Sequence, residues 1–223
     1  MTAGAQGKMP LLQPNSEFKA AHGTYTVRQL LGKGGYGHVY LVENADGFRV
    51  LKVIHDEEVP HYHVADKMAA EIEWYKRLRN TSIKIPAMHE YDMARKYLIK
   101  DFLCGTVGSE AVAAGHVSEK VFSQLFAYAL ELESGNINID YFPANFLITN
   151  SEDLYYVDYE ASPYSADWSL LNWGIYYWLN NRGMKNFLKT KDASHINSSV
   201  ERGIPVKEGM QQKVAELKAK FWH

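Results

Sequence analysis

The chain has 223 residues, and its 24 lysines and arginines against 26 aspartates and glutamates leave a formal charge of −2, which argues against a polyanion-binding surface spread over the whole molecule and makes nucleic acid no default partner. With 46% hydrophobic and 13% aromatic residues it can bury a substantial core, which excludes intrinsic disorder for most of its length. The single cysteine, Cys104, rules out an internal disulfide framework and a multi-thiolate zinc site, and it fits a reducing compartment.

Met1 to Pro14 carries a lone Lys8 and no sustained apolar run, so it does not read as a secretory signal, and no window approaches a membrane span. The expectation is a soluble, cytoplasmic protein. Residues 1–20 mix Gly, Gln, Pro and Ser without periodicity and read as a flexible tail.

From Tyr25 the text turns β-rich: Tyr25 to Leu31, Val39 to Val42 and Phe48 to Ile54, the last two joined by the turn Asn44-Ala45-Asp46-Gly47. A helix is expected from Ala65 to Arg79, because Met68, Ile72, Tyr75 and Leu78 recur at helical spacing. Two more strands follow near Met88 to Tyr91 and Lys96 to Phe102, giving five strands and one helix. After Gly105 the pattern becomes helical. Val121, Phe122, Leu125, Phe126, Ala129, Leu130 and Leu132 mark a long helix that stops at Gly135. Asn145 to Ile148 and Leu154 to Val157 read as a hairpin, and helices resume over Asp167 to Asn180 and Lys207 to Trp222.

The run Gly32-Lys33-Gly34-Gly35-Tyr36-Gly37-His38-Val39 fits G-x-G-x-x-G-x-V. The glycines alone are ambiguous between a dinucleotide-binding turn and a phosphate-covering hairpin. A dinucleotide turn needs a helix directly afterwards, and here a strand, a turn and another strand follow. Lys52 sits within the apolar strand Val50 to Ile54, where an ammonium either reaches solvent or finds an anionic partner. On the following helix Glu71 falls in the apolar stripe while Glu73 points to the far side, so Glu71, nineteen residues on, is the inward carboxylate.

In the second half, Asp140 and Asn145 lie five residues apart within Gly135 to Ile148, and Val157-Asp158-Tyr159-Glu160 follows the hairpin. In that order and spacing, from Tyr25 to Leu179, the chain resembles the protein-kinase-like superfamily, with the second-half run similar to the H-R-D-L-x-x-x-N loop and Asp158 in the place of the D-F-G aspartate. The fold class this implies is α+β: a two-lobed protein-kinase-like fold, with a five-stranded N-lobe sheet and one helix over 21–103 and a reduced, mainly helical C-lobe over 104–223. The resemblance implies a phosphotransferase using ATP and Mg²⁺, most simply an atypical serine/threonine protein kinase. In it Gly32, Gly34, Gly37 and Val39 cover the nucleotide, Lys52 paired with Glu71 positions its phosphates, and Asn145 and Asp158 hold the metal. Asp140 orients or deprotonates the acceptor hydroxyl, and the backbone near Asp101 and Leu103 reads adenine behind Lys100 as gatekeeper.

Several residues depart from the pattern. Asn138 and Ile139 replace His and Arg of H-R-D, so an arginine that senses an activation-loop phosphate is missing. Phe142 stands where serine/threonine kinases place a lysine near the γ-phosphate, and Glu160 replaces the D-F-G glycine, as in aminoglycoside and choline phosphotransferases. Only eight residues separate Asp158 from Asp167-Trp168-Ser169-Leu170, too few for a peptide-docking activation segment. A RIO-like or small-molecule kinase fits that brevity, and a nucleotide-binding pseudokinase serving as an interaction module is the non-catalytic alternative. The partners expected are ATP and a protein or small-molecule hydroxyl acceptor, with no nucleic acid and no membrane. His61-Tyr62-His63 reads as solvated loop rather than a metal pair, Cys104 as a buried inert thiol, and Lys207 to Trp222 as a helix packed on the C-lobe, with partner binding as its alternative.

Overall fold

The computed structural model describes residues 11–34, 37–54 and 67–223. Gly35, Tyr36 and the His61-Tyr62-His63 triplet lie outside the described residues, as do residues 1–10 and the first two positions of the expected helix. The chain divides into two compact units, one of Met1–Ile72 and Pro86–Phe102, the other of Glu73–Ile85 and Leu103–His223. Among the described residues no helix is long and apolar enough to cross a membrane.

The first unit is built on an antiparallel sheet of six strands, β1 (Glu17–Lys19), β2 (Thr24–Lys33), β3 (Gly37–Asn44), β4 (Gly47–Ile54), β5 (Met88–Asp92) and β6 (Tyr97–Asp101), in the order β1-β2-β3-β4-β6-β5. β3 and β4 meet in a two-residue turn, in which the Asn44 Oδ1 accepts the Asp46 amide at 3.0 Å and Gly47 takes φ +108°, a value that strains any side chain. Five of the strands are those expected. The sixth, β1, corrects the flexible-tail reading of 1–20 for residues 11–20, which pack onto one face of the sheet. There Leu11, Leu12, Phe18 and Ala20 rest against a buried cluster that includes Tyr40, Leu51, Tyr97 and Ile99.

Pairing with period two decides which side chains point away from that cluster. Leu51 and Val53 join it, so Lys52 between them projects from the opposite face. Val39 on β3 and Leu98 on β6 are its direct cross-strand neighbours and share its face. α1 (Lys67–Leu78) follows β4 and has the expected phase, with Met68, Ile72 and Leu78 buried and Glu73 exposed.

The second unit is mainly helical. β7 (Thr106–Val107) leads into α2 (Gly108–Ala114) and then α3 (Glu119–Ser134), whose N-terminus is capped by Ser118 and which turns Val121, Leu125, Phe126, Tyr128 and Leu132 inward. β8 (Ile137–Ile139) and the hairpin of β9 (Phe146–Ile148) with β10 (Leu154–Tyr156) come next. β7 adds to β9, and β11 (Ala161–Pro163) pairs antiparallel with β8.

The helix expected over Asp167 to Asn180 is broken. A single 3₁₀ turn over Ala166–Trp168 precedes a π-turn over Leu170–Gly174, and only Ile175–Leu179 (α4) is α-helical. Ser169 causes this: its extended backbone interrupts the helix, its hydroxyl caps the Asn172 amide, and its carbonyl receives both the Trp173 and Gly174 amides, at 2.9 and 3.2 Å. α5 (Asn181–Thr190) was not anticipated; neither was the small hairpin of β12 (Asn197–Ser199) and β13 (Ile204–Pro205). α6 (Gln211–Phe221) starts four residues later than expected and packs on α3 through Phe221 and Trp222, whose rings lie 5.8 and 6.1 Å from Phe126. Cys104 is exposed rather than buried.

Candidate functional site

In the first unit the lysine and the inward glutamate meet. Lys52 Nζ donates to Glu71 Oε1 at 2.8 Å, and both side chains are buried, so the reading in which each reaches solvent is set aside. Two charges withdrawn from water in this way stabilise little by themselves, and removing either one exposes the cost of the other. The arrangement holds an ammonium in a fixed position on the face shared with Val39.

The glycines divide by cause. A Cβ on Gly37 would meet the Val53 carbonyl oxygen at 2.5 Å, so this glycine is required by the approach of β3 to β4. A Cβ on Gly32 would meet none of the described residues within 4 Å, so nothing among them demands a glycine there. Gly34 closes the described part of the turn, its amide donating to the Gly37 carbonyl at 2.9 Å. At the end of β6, Asp101 spends its carboxylate locally: Oδ1 lies 2.6 Å from His89 Nε2 and Oδ2 accepts the Ala87 amide at 3.2 Å. Its amide donates to the Ala87 carbonyl at 2.9 Å. Lys100 is buried on β6.

In the second unit Asp140, Asn145 and Asp158 are brought together by Asn145. Its Nδ2 donates to the Asp140 carbonyl at 3.3 Å, and its own carbonyl accepts the Val157 amide at 2.8 Å, which sets the residue before Asp158 beside it. Asp140 Oδ1 accepts the Phe142 amide at 2.9 Å, and Asp158 Oδ1 accepts the Tyr159 amide at 2.8 Å. Asp140 is exposed as a residue, yet the protein packed around its carboxyl raises it above the usual range by loss of hydration, and the Asp158 charge adds to the rise against the pull of Phe142 and Asn145. Leu103 lies half-buried at the start of this unit's long segment.

Sequence reasoning missed Tyr156. Its ring is wholly buried and its hydroxyl donates to the Glu160 carbonyl at 2.6 Å; burial raises the phenol far above its usual value, and the charges of Asp158, Asp140 and Glu160 raise it further. Buried and bonded to the Glu160 carbonyl, the phenol stays neutral. Phe142, where a lysine was to be looked for, turns its ring inward, 5.1 Å from Tyr177 and 6.2 Å from Phe187 of α5.

Among the described residues no three His, Cys, Asp or Glu side chains form a metal-holding group. The donors at Asp158 and Asn145 are one carboxylate and one amide oxygen. That set fits a hard divalent cation such as Mg²⁺, which keeps waters and phosphate oxygens in its shell and takes only one or two ligands from protein.

No protein-family model matches the chain. No curated protein matches it either. Two crystal structures of the Mycobacterium tuberculosis PknI kinase domain are similar to it. One is 23% identical with a TM-score of 0.44, covering 67% of this chain and 61% of that one. The other is 22% identical with a TM-score of 0.43, covering 67% of this chain and 63% of that one. The chain therefore spans about three fifths of the length of the kinase domains it matches. The fold is protein-kinase-like in its own element order: a glycine-bearing hairpin, a buried strand lysine paired to a helix glutamate, and a carboxylate loop followed by a short hairpin ending in a second carboxylate.

Proposed function

We propose that the chain is an ATP–Mg²⁺-dependent phosphotransferase that moves the γ-phosphate to a hydroxyl, as an atypical serine/threonine protein kinase. The observation that carries the reading is the tie made by Asn145, which links the Asp140 carbonyl to the strand end that bears Asp158. Phosphoryl transfer through a loose transition state asks for positioning and charge neutralisation rather than covalent help, and this cluster offers both. Asp158 and Asn145 would hold Mg²⁺, which supplies charge neutralisation at the phosphates. Lys52, fixed by Glu71, would steady the α/β-phosphates beneath Gly32, Gly34, Gly37 and Val39, and the backbone of Asp101 and Leu103 would take the adenine. Asp140, its carboxyl raised, would accept the acceptor's proton.

A second reading, a small-molecule kinase, is favoured by the brevity of the segment after Asp158: β11 pairs with β8 only three residues later, and the 3₁₀ turn at Ala166 follows. A third, the pseudokinase, draws on the inward turn of Phe142. The test is transfer of labelled γ-phosphate from ATP, with and without Mg²⁺, to the protein itself and to panels of peptides and of alcohol metabolites. Label on peptides supports the protein kinase and label on alcohols alone supports the small-molecule kinase. ATP binding without label on either is the pseudokinase outcome.

A further inference from the structure

α5 carries a charge pattern that the proposed site does not use. From Asn181 to Lys191 the sequence holds four cations, Arg182, Lys185, Lys189 and Lys191, and no aspartate or glutamate, in a chain whose net charge is −2. All four are exposed, and among the described residues none of them has an ion pair or a side-chain hydrogen bond. Elsewhere in the same unit lysines do find carboxylates: Lys84 Nζ lies 2.9 Å from Asp153 Oδ1, Lys220 Nζ 2.7 Å from Glu119 Oε1 and Lys213 Nζ 3.3 Å from Glu216 Oε2. At 3.6 residues per turn, Arg182, Lys185 and Lys189 fall within about 60° of one another around the helix. Met184, Phe187 and Leu188 take the other side and pack on the core.

Helix stability does not account for that stripe. Lys189 and Lys191 suit the C-terminal end of the helix dipole, but Arg182 in the first turn opposes it. Arg182 with Lys185, three residues apart, and Lys185 with Lys189, four apart, are like-charge neighbours that repel. The helix forms in spite of them, through the Asn180 side chain that caps the Gly183 amide at 2.9 Å and through its apolar side. An anion laid along the stripe removes the repulsion, so the pattern favours a bound state over the free one. α5 also backs the loop that bears Asp140: the Phe187 ring lies 6.2 Å from Phe142, whose amide donates to Asp140 Oδ1 at 2.9 Å. The stripe is about 10 Å long and one side chain wide, which matches a single extended strand whose alternate side chains face it about 7 Å apart. A lipid surface asks for apolar residues on the exposed side, and α5 turns its own to the core. A nucleic-acid duplex asks for a broad basic surface, which a net charge of −2 does not supply.

We infer that the face of α5 made by Arg182, Lys185 and Lys189 docks an acidic, extended segment of the acceptor protein, and so selects acidic proteins as substrates. The inference deepens the proposed function and rests on its protein-kinase reading. Its test uses the full chain and two fluorescein-labelled peptides of one serine each, the first with glutamate at every second position and the other with glutamine in its place. Anisotropy gives the peptide affinity, and γ-phosphate transfer gives kcat and KM. Both are measured on wild type, on Lys185→Glu, on the triple variant of Arg182→Glu, Lys185→Glu and Lys189→Glu, and on Lys218→Glu, an exposed α6 lysine that controls for net charge. A DNA duplex and phosphatidylserine–phosphatidylcholine vesicles are titrated alongside.

Wild type should bind the glutamate peptide about tenfold or more tightly than the glutamine one, a preference that shrinks as salt is raised. The triple variant should lose the preference, with KM for the glutamate peptide raised about tenfold or more and kcat held within about twofold, the signature of lost docking rather than lost chemistry. Lys185→Glu should lose about threefold and, having exchanged a repelling neighbour for an attracting one, melt no lower than wild type. It decides if the triple variant does not fold. Lys218→Glu should behave as wild type. Equal affinity for the two peptides, or an equal loss in Lys218→Glu, overturns the inference. So does stripe-dependent binding of the duplex or the vesicles that exceeds binding of the glutamate peptide, which would give the stripe to that partner. Stripe-dependent peptide binding by a wild type that transfers phosphate to neither peptide supports the docking face and contradicts the kinase reading, a result distinct from the others.

Discussion

Lys52 Nζ and Glu71 Oε1 lie 2.8 Å apart in a buried setting, joining the middle of β4 to the inward face of α1. Glu71→Gln replaces the charged partner of a buried ammonium by a neutral amide and is expected to destabilise the protein by up to about 3 kcal/mol. Replacing both, as Lys52→Met with Glu71→Leu, should recover most of that loss while abolishing ATP binding. Urea denaturation of the single and double variants checks the first statement and calorimetric titration with Mg–ATP the second. A double variant no more stable than the single one contradicts the expectation.

The two glycines with different causes should separate stability from ligand binding. Gly37→Ala drives a Cβ against the Val53 carbonyl and should lower the melting midpoint by several degrees, whereas Gly32→Ala meets nothing and should change stability by less than about 0.5 kcal/mol. If Gly32 lies under the nucleotide, its alanine variant should still weaken ATP binding. Equal thermal loss in both variants would show that Gly32 is packed.

The segment before β2 is pinned by Glu90, whose Oε1 accepts the Ala21 amide and the Tyr97 hydroxyl at 3.0 and 2.8 Å, and whose Oε2 accepts the His22 amide at 3.0 Å and lies 2.8 Å from His22 Nδ1. Burial alone would raise this carboxyl, but the bonds from Tyr97, His22 and the two amides together hold it below the ordinary 4.5. A folded value below the unfolded one stabilises at pH above 4.5, and the stabilisation fades as pH falls through the folded value. Stability should therefore drop on acidification below about pH 4.5, and Glu90→Gln should flatten that part of the curve while costing about 2 kcal/mol at neutral pH. An unchanged acid limb in Glu90→Gln contradicts the assignment.

Much of this was legible beforehand. β2, β3, β4 and α3 have clear periods, and the phase of α1 selects Glu71 over Glu73 from the sequence alone. That Asp140, Asn145 and Asp158 share one neighbourhood is what the resemblance to the protein-kinase-like superfamily implied, not something their spacing alone shows. Residues 11–20 were not legible, because they have no period of their own and are ordered by tertiary contacts such as the Leu12 amide on the Tyr40 hydroxyl. The break at Ser169 escaped notice too, since the apolar periodicity of 167–180 survives a π-turn and only the serine's extended backbone reveals it. Tyr156 read simply as a hydrophobic strand residue. That it is wholly buried with its hydroxyl on the Glu160 carbonyl follows from the chain folding back after β10, and no local pattern encodes it.

Asp158 and Asn145 should contribute unequally to metal-dependent binding, since a carboxylate neutralises charge and an amide does not. Mg–ATP at 100 times its dissociation constant should stabilise the wild type by about 2.7 kcal/mol. Asp158→Ala should lose nearly all of the Mg²⁺-dependent part and Asn145→Ala only some of it. Thermal melts with ATP, with and without Mg²⁺, compare the three. Full Mg²⁺-dependent stabilisation of Asp158→Ala would remove Asp158 from the metal site.

The central claim is that Asp140 acts in phosphate transfer and not in nucleotide binding. Asp140→Asn keeps the size of the side chain and its acceptance of the Phe142 amide while removing the charge. The decisive measurement takes the ATP dissociation constant and the rate of γ-phosphate transfer on one preparation each of wild type and Asp140→Asn. The account predicts nearly equal dissociation constants and a rate lower by about 10²-fold or more in the variant. Undiminished transfer by Asp140→Asn, or an equal loss of binding and rate, would contradict it.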